Sequence, residues 1–277
     1  MTNLSSRSSG NHNKHLFLKD KLVEKDASLS LTLIRGMEIL GCFRDAEEVL
    51  TNIQIAKRLE INKATVSRLC KTLMALQYLR RNPKGGFRLA PGILALSYPI
   101  LSSMKWRQKA VGLMSEFAEF AKGNTSLAVF NGADTVYIQT AGDTSNFPHV
   151  PEMGMTIPLA NTATGRSLLS MLSDEQLALK LEEIESQYPG SLEACGTRIE
   201  ESIKSCKEKG YCISFGEWRE NMHAMAAPIG KTSDGLDVTI SCGIPAYRAR
   251  KEEVENDLAP RLASVAENLR LINIFGN

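Results

Sequence analysis

Nine lysines and arginines stand against one glutamate in residues 51–90, while the 277-residue chain has a formal net charge of only +2. The rest of the chain is therefore net acidic. A local excess of cations on a nearly neutral protein is the electrostatic footprint of a phosphate partner. Within the stretch, Ser67, Arg68, Lys71 and Thr72 fall on one arc at about 100° per residue, with Thr65 at its edge and Lys63 at the start. Ala64 and Ala75 keep that arc low enough to enter a major groove. Hydroxyls there reach phosphates or bases, and arginine bonds guanine bidentately. Arg81, Lys84 and Arg88 follow at once, placed to grip backbone or minor groove. One amphipathic helix alone would more simply be a solvated surface helix.

Two other constellations carry possible chemistry. Asn161-Thr162-Ala163-Thr164-Gly165 lies between a short apolar strand and a helix. Open backbone N–H groups at a helix start suit a carboxylate. An ordinary cap with a close-packed glycine explains the same residues, and on the residues alone it is the favoured reading. Glu217, His223 and Cys242 are the types of a nucleophile–base set. No spacing supports that set, and no glycine-rich phosphate loop or metal motif accompanies it.

The elements that must position these residues are legible in the chain. Thr51 with Gln54 forms a capping box for a short helix with Ile53, Ile55, Ala56 and Leu59 on its apolar side. Asn62 caps a second helix, whose Val66, Leu69, Cys70, Leu73 and Leu76 turn inward. Residues 78–81, the turn 82–86 and residues 87–89 read as strand, turn, strand, a wing behind a helix-turn-helix. Upstream, Leu33, Ile34, Met37, Leu40 and Phe43 recur at helical spacing and pack behind the pair; Asp45, Glu47 and Glu48 form a solvated exit turn. Residues 1–27, polar and carrying Arg7, His12, Lys14, His15, Lys19 and Lys21, read as a mobile tail, its histidines exposed. Residues 91–104 form an apolar linker helix that Pro99 is expected to kink or divide. An apolar linker needs a partner.

From 105 onward the pattern changes. A helix over 106–122 buries Val111, Met114, Phe117, Ala118 and Ala121. Strands at 126–130 and 135–139 flank a hairpin turn. A polar loop spans 140–154 and a short strand 155–159. Helices follow near 174–185 and 196–209, then strands at 211–215, 223–229 and 238–242. A closing helix carries Val254, Leu258, Leu262, Val265, Leu269 and Ile272. Sheet plus flanking helices gives an α+β class. Six cysteines, at 42, 70, 195, 206, 212 and 242, show no C-x-x-C pair or Cys/His metal spacing. They read as buried thiols in a reducing compartment. No membrane-length apolar run or secretory signal is evident, so the expected location is cytoplasmic.

Residues 29–101 resemble the N-terminal domain of the IclR family of bacterial transcription regulators, through SLTLIRGMEILGCF, TNIQIAKRLEINKATVSRLCKTLMALQYLRR and GGFRLAPGILALS. Ala90 stands where the family's wing usually ends in glycine. The second half is similar to the family's GAF-like effector-binding domain, through IPLANTATGRSLLS, GYCISFGEW, HAMAAPIG and ISCGIPAYR. The resemblance implies a tail (1–27), a winged helix-turn-helix (28–90), a linker helix (91–104) and a GAF-like sensor (105–277). It also implies double-stranded operator DNA and a small organic acid as partners, a homodimer or homotetramer, and no cofactor, metal, membrane or catalytic residue. Its effector site maps to Asn161, Thr162, Ala163, Thr164, Gly165, Ser214, Glu217, Ala224, Ser241 and Cys242. Ser214 and Phe215 replace a common acidic pair, and Ala224 a common cysteine, so a wall made more apolar by Phe215 and Ala224 should favour an aromatic or branched acid. The rival functions are a Cys/His hydrolase-like enzyme and a DNA-binding protein that ignores small molecules.

Overall fold

The computed structural model describes residues 26, 28–43, 48–142 and 151–271. The readings at Arg7, His12, Lys14, His15, Lys19, Lys21, Asp45, Glu47 and Ile272, and over most of the 140–154 loop, lie outside the described residues. The chain divides into two compact units, Met1–Ser103 and Met104–Asn277.

The first unit is a winged helix-turn-helix. Helix α1 (Leu31–Gly41) starts at Ser30, whose hydroxyl accepts from the Leu33 amide. Helix α2 (Asn52–Leu59) carries the full Thr51/Gln54 capping box and ends at Glu60 in a left-handed conformation. Helix α3 (Lys63–Ala75) begins at Asn62, whose side chain accepts from the Thr65 amide. Strands β1 (Leu79–Arg81) and β2 (Phe87–Leu89) pair antiparallel around a turn with Gly85 and Gly86 at positive φ. Their core holds Ile39, Leu50, Ile55, Leu59, Val66, Leu69, Leu73 and Phe87. Helix α4 (Gly92–Ser103) contains no buried residue.

Four residues expected inside are exposed: Leu33, Met37, Ile53 and Leu76. In α1 the buried positions are Gly36 and Ile39. That helix is apolar on most of its circumference, so periodicity alone cannot choose the inner side. Ile53 is two residues from buried Ile55, about 200° round the helix. Leu76 is the C-cap of α3, past the turn that packs. Pro99 does not divide α4, which runs unbroken from Gly92 to Ser103.

The second unit is mixed α/β. Helix α5 (Trp106–Ala121) leads into β3 (Asn124–Asn131) and β4 (Asp134–Gly142), then β5 (Thr156–Pro158) and α6 (Ala163–Leu169). Helices α7 (Asp174–Gln187) and α8 (Ser191–Lys209) follow, then β6 (Cys212–Phe215), β7 (Met222–Lys231) and β8 (Asp237–Pro245). Chain end α9 (Lys251–Glu253) passes through a π-helical turn at Val254–Leu258 into α10 (Ala259–Leu269). The six strands form one sheet in the order β5-β4-β3-β8-β7-β6, with every neighbouring pair antiparallel. Val238, Ile240, Cys242 and Ile244 of β8 join Met114, Phe117, Leu258 and Leu262 in the main core on one sheet face. Ala266 takes the buried place expected for Val265, which is half-buried. Helix α6 covers the other face: Ser167 Oγ lies 2.7 Å from Thr239 Oγ1, and the Cys212 thiol donates to the Ala163 carbonyl at 3.3 Å.

Candidate DNA-reading surface and effector cavity

The outer face of α3 holds exposed Lys63, Ser67, Arg68, Lys71 and Thr72, with Thr65 half-buried. Not all of these are equally free to act. Ser67 Oγ accepts from the Asn52 side chain at 2.8 Å, and Thr72 Oγ1 donates back to the Arg68 carbonyl at 3.2 Å. These two hydroxyls tie the reading helix to α2 and to itself. Arg68 and Lys71 have no ion-pair partner among the described residues, nor have Lys63, Lys84 and Arg88. On the wing, the Arg81 guanidinium sits 4.6 Å above the Phe87 ring. The register also pairs Arg80 with Arg88 across the hairpin. Like charges opposite one another destabilise a strand pair unless an anion joins them. Arg80 is a member of this cationic face that helical and strand periodicity alone did not single out.

The second site is a cavity within the sensor unit, and strand register explains it. Asn124 on β3 lies opposite Gly243 on β8, Gly243 opposite Ala224 on β7, and Ala224 opposite Ser214 on β6. One step along, Ser126 lies opposite Ser241. Alternation puts these side chains on the same sheet face as Thr239 and Cys212, the face that α6 covers. Small residues in adjoining rows leave a hollow there. A Cβ added at Gly243 would meet nothing nearer than Met222 Cε at 3.4 Å. The cavity has a volume of about 60 Å³. Thr162, Ala163 and Thr164 at the start of α6 form one wall; Tyr137, Ile157, Trp218 and Met222 form others.

The 216–221 turn carries the cavity's charge. Gly216, at φ +75°, donates to the Met222 carbonyl, and Met222 donates to that of Arg219. Arg219 lines the cavity with its guanidinium 4.3 Å above the Trp218 ring. Among the described residues Arg219 has no ion pair and the lining contains no carboxylate. Burial lowers the Arg219 pKa, while Tyr137 pulls it the other way. An arginine stays charged regardless. Burial pushes the Tyr137 phenol up to about 12, against the pull of Thr164, Ser241 and Arg219. Tyr137 is thus a neutral donor at the base of the cavity.

Of the residues expected at the effector site, Thr162, Ala163, Thr164, Ser214, Ala224, Ser241 and Cys242 line the cavity. Asn161, Gly165 and Glu217 are not in the lining. Gly165 is instead pressed onto β5's exit, where an added Cβ would lie 2.3 Å from the Leu159 backbone. Its amide donates to Thr162 Oγ1, which in turn donates to the Pro158 carbonyl. Glu217 is held at 2.6 Å by Arg166, a side chain only 1% exposed, which also donates to the Thr162 and Arg198 carbonyls. Arg166 therefore binds the α6 cap, α8 and the Arg219 turn together from behind the cavity. Asn161 is half-buried, with an Oδ1 that has no partner among the described residues. Phe215, expected to make the wall apolar, alternates to the opposite face and stacks edge-on with His223, centroids 5.0 Å apart.

Glu217, His223 and Cys242 do not converge. Both Cys242 and His223 border the cavity, but alternation turns their side chains to the sheet face opposite α6, beside Met225 and Phe215 in register. Burial pushes the Cys242 thiol up to about 12, so it is a protonated core side chain and no nucleophile. Sequence reasoning missed Asn124, Tyr137 and Arg219. Tyr137 had a signal, being an aromatic hydroxyl between Val136 and Ile138 in a strand; Asn124 and Arg219 enter only through register and turn geometry.

Two family models match the chain: the IclR helix-turn-helix domain over residues 32–83 and the bacterial transcriptional regulator IclR C-terminal domain over residues 99–271. Among solved structures, an IclR family regulator from Brucella abortus is 31% identical, with a TM-score of 0.77, covering 89% of this chain and 94% of its own. The Pca regulon regulatory protein of Pseudomonas putida is 25% identical, over 88% of this chain and 84% of its own. An IclR homologue from Microbacterium hydrocarbonoxydans, solved in complex with 4-hydroxybenzoate, is 19% identical with a TM-score of 0.67, covering 87% and 99%.

Proposed function

The chain belongs to the IclR family of bacterial transcriptional regulators, and from that premise we propose that it is a sensor of an aromatic carboxylic acid, controlling genes of aromatic-acid catabolism. It is a DNA-binding, ligand-responsive regulator; the acid is the finer step. The observation that carries it is Arg219: a half-buried cation without a carboxylate partner among the described residues, in a cavity with no acidic residue among its described lining. An anion is what such a site lacks. Trp218 and Tyr137 beside it offer ring faces and edges to a flat ligand. The 4-hydroxybenzoate complex of one homologue and the Pca regulon role of another relative support the same class.

Lys63, Thr65, Ser67, Arg68, Lys71, Thr72, Arg81, Lys84 and Arg88 form the DNA surface in this reading, with Arg68 reading bases and the wing holding phosphates. The protein works in the cytoplasm as a homodimer or homotetramer and catalyses nothing. Leu94, Leu96, Tyr98 and Ile100 stand exposed on α4, an apolar face that a second subunit would cover. Two subunits then present two recognition helices to an inverted-repeat operator. The acid acts only by binding two arrangements of the dimer unequally. No described helix is long and apolar enough to cross a membrane.

Calorimetric titration with benzoate tests the acid site. Arg219→Met should weaken binding by about 1.5–3 kcal/mol and leave operator affinity without ligand intact. Equal affinity of wild type and variant for benzoate would remove Arg219 from the site. Light scattering should give two or four times the 30.5 kDa chain mass; a monomer at micromolar concentration refutes the assembly.

A further inference from the structure

Behind the α6 wall of the cavity, two thiols meet. Cys206 lies in the last turn of α8, and Cys212 opens β6. Gly210, at φ +80°, caps α8 by donating its amide to the Cys206 carbonyl and turns the chain directly into β6. That reversal brings both side chains into one small buried cluster with Ala163 and Ala226. The two thiols are in hydrogen-bonding contact, with Ser167, Ser170 and the Arg166 guanidinium around Cys206. Cys206 is 6% exposed and Cys212 1%. The Cys212 thiol also donates to the carbonyl of Ala163, the first residue of α6 and part of the cavity wall. One S–H thus stands between two acceptors, a neighbouring sulfur and the start of α6. Neither thiol is used in the acid reading or the DNA reading.

We propose that Cys206 and Cys212 are a reversible oxidation site, which a hydroperoxide closes into a disulfide that unties the start of α6 and so weakens effector binding. The weakening rests on the acid reading above; the disulfide does not. The two thiols differ in role. The bond from Cys212 lowers the Cys206 pKa; burial opposes it, and Ser170, Ser167 and Arg166 add to the lowering. The bond to Cys206, together with burial, raises that of Cys212. Cys206 is therefore the nucleophilic thiolate. Its sulfur attacks one peroxide oxygen and breaks the O–O bond, giving a sulfenic acid and hydroxide. The Cys212 sulfur then attacks the sulfenic sulfur. The S–S bond forms, the S–O bond breaks, and the Cys212 proton leaves in water. In sum two thiols give up two electrons and two protons, and one hydrogen peroxide becomes two waters. A dithiol reductant reverses the step by exchange. Once bridged, Cys212 has no hydrogen left for Ala163. Burial pushes Cys70 up to about 11 and Cys242 up to about 12, so neither competes as a thiolate. A transient sensing disulfide is the kind that a reducing compartment allows.

The test treats reduced full-length protein with hydrogen peroxide and maps it by mass spectrometry without reduction. Trypsin cuts after Lys207, Lys209 and Arg219, so the disulfide should join peptides 205–207 and 210–219 and vanish with dithiothreitol. Hydrogen exchange across 163–169 should quicken in the oxidised protein and return on reduction. Benzoate affinity should fall roughly three- to tenfold on oxidation, the worth of about one hydrogen bond. Cys212→Ser keeps a donor for Ala163 and cannot close the bridge, so peroxide should change neither its exchange nor its benzoate affinity. Cys206→Ser serves if that variant does not fold. Cys206 and Cys212 remaining free thiols in folded, peroxide-treated wild type overturns the proposal, as does either one bridging to a different cysteine. A disulfide that leaves α6 exchange unchanged, or that leaves the affinity of a benzoate-binding protein unchanged, overturns it too. Benzoate failing to bind even the reduced protein overturns the acid reading alone, because the bridge and the exchange are measured without ligand.

Discussion

Helix α3 and the sheet cavity, the proposed DNA-reading and effector sites, are both polar surfaces backed by an apolar core, yet they are made in opposite ways. Helix α3 displays its side chains: Arg68 and Lys71 stand in solvent on one arc, while Val66, Leu69, Cys70 and Leu73 fill the core on the other. Function there follows from sequence spacing within one element. The cavity is an absence, produced where Asn124, Gly243, Ala224 and Ser214 come side by side from four strands far apart in the chain. Its charge arrives from a turn, and its rigidity from Arg166 behind it. The displayed site should therefore tolerate change to its own residues without loss of fold. The enclosed site should be sensitive to changes that never touch a ligand.

The sharpest break of that contrast is Gly165→Val. The added Cβ would fall 2.3 Å from the Leu159 backbone, which cannot swing aside as a flexible side chain could. We expect destabilisation of about 3 kcal/mol or more. Both tryptophans, Trp106 and Trp218, lie in the sensor unit, so their fluorescence in urea reports that unit alone. An unchanged midpoint would mean that Gly165 is not the close-packed contact that sets the start of α6.

A middling effect is expected on the displayed face. Arg68→Ala should cost about 1–3 kcal/mol on the specific operator, and Lys84→Ala should weaken operator and scrambled duplex alike. Neither should destabilise the first unit, because neither side chain is buried. Gel-shift titration on both duplexes decides. If folded Arg68→Ala protein binds operator like wild type, another helix reads the bases and the contrast between display and enclosure loses its first half.

Legibility in the chain followed the same division. The capping box at Thr51, the Asn62 cap and the wing were readable because each rests on residues three to ten positions apart. The strands were found but drawn short: β7 and β8 extend to Lys231 and Pro245, carried by cross-strand pairing that no single strand encodes. The Thr162–Thr164 wall was located through resemblance, where residues alone favoured a cap, and Thr162 does both jobs. Phe215 was misplaced because its inward or outward turn depends on the pleat of β6, fixed by pairing with His223. Arg219 was invisible because a cation in a polar turn is ordinarily solvated; only the fold removes its water.

The smallest expected effect is one of pH, and it too should separate the two units. Among the described residues His223 is the only histidine, and it lies in the sensor. Burial lowers its pKa below the usual 6.5, and the nearby Lys251 charge lowers it further, against a weaker opposing contribution from the Met222 backbone. Its ring meets Phe215 edge-on, and Lys251 lies 5.2 Å over that Phe ring, so a proton on His223 would add a second cation to one aromatic cluster. The folded state therefore binds this proton less readily than the unfolded chain. Stability from the neutral ring is full above the unfolded value and is lost as pH falls through the lower folded one. Urea midpoints followed by tryptophan fluorescence should drop from pH 7 towards pH 5, and His223→Gln should make that slope shallower. DNA affinity should not share the His223 contribution, since no described residue of the first unit is a histidine. Equal slopes in wild type and His223→Gln would show that the ring is protonated as easily folded as unfolded, and that this face of the sheet is wetter than its burial implies.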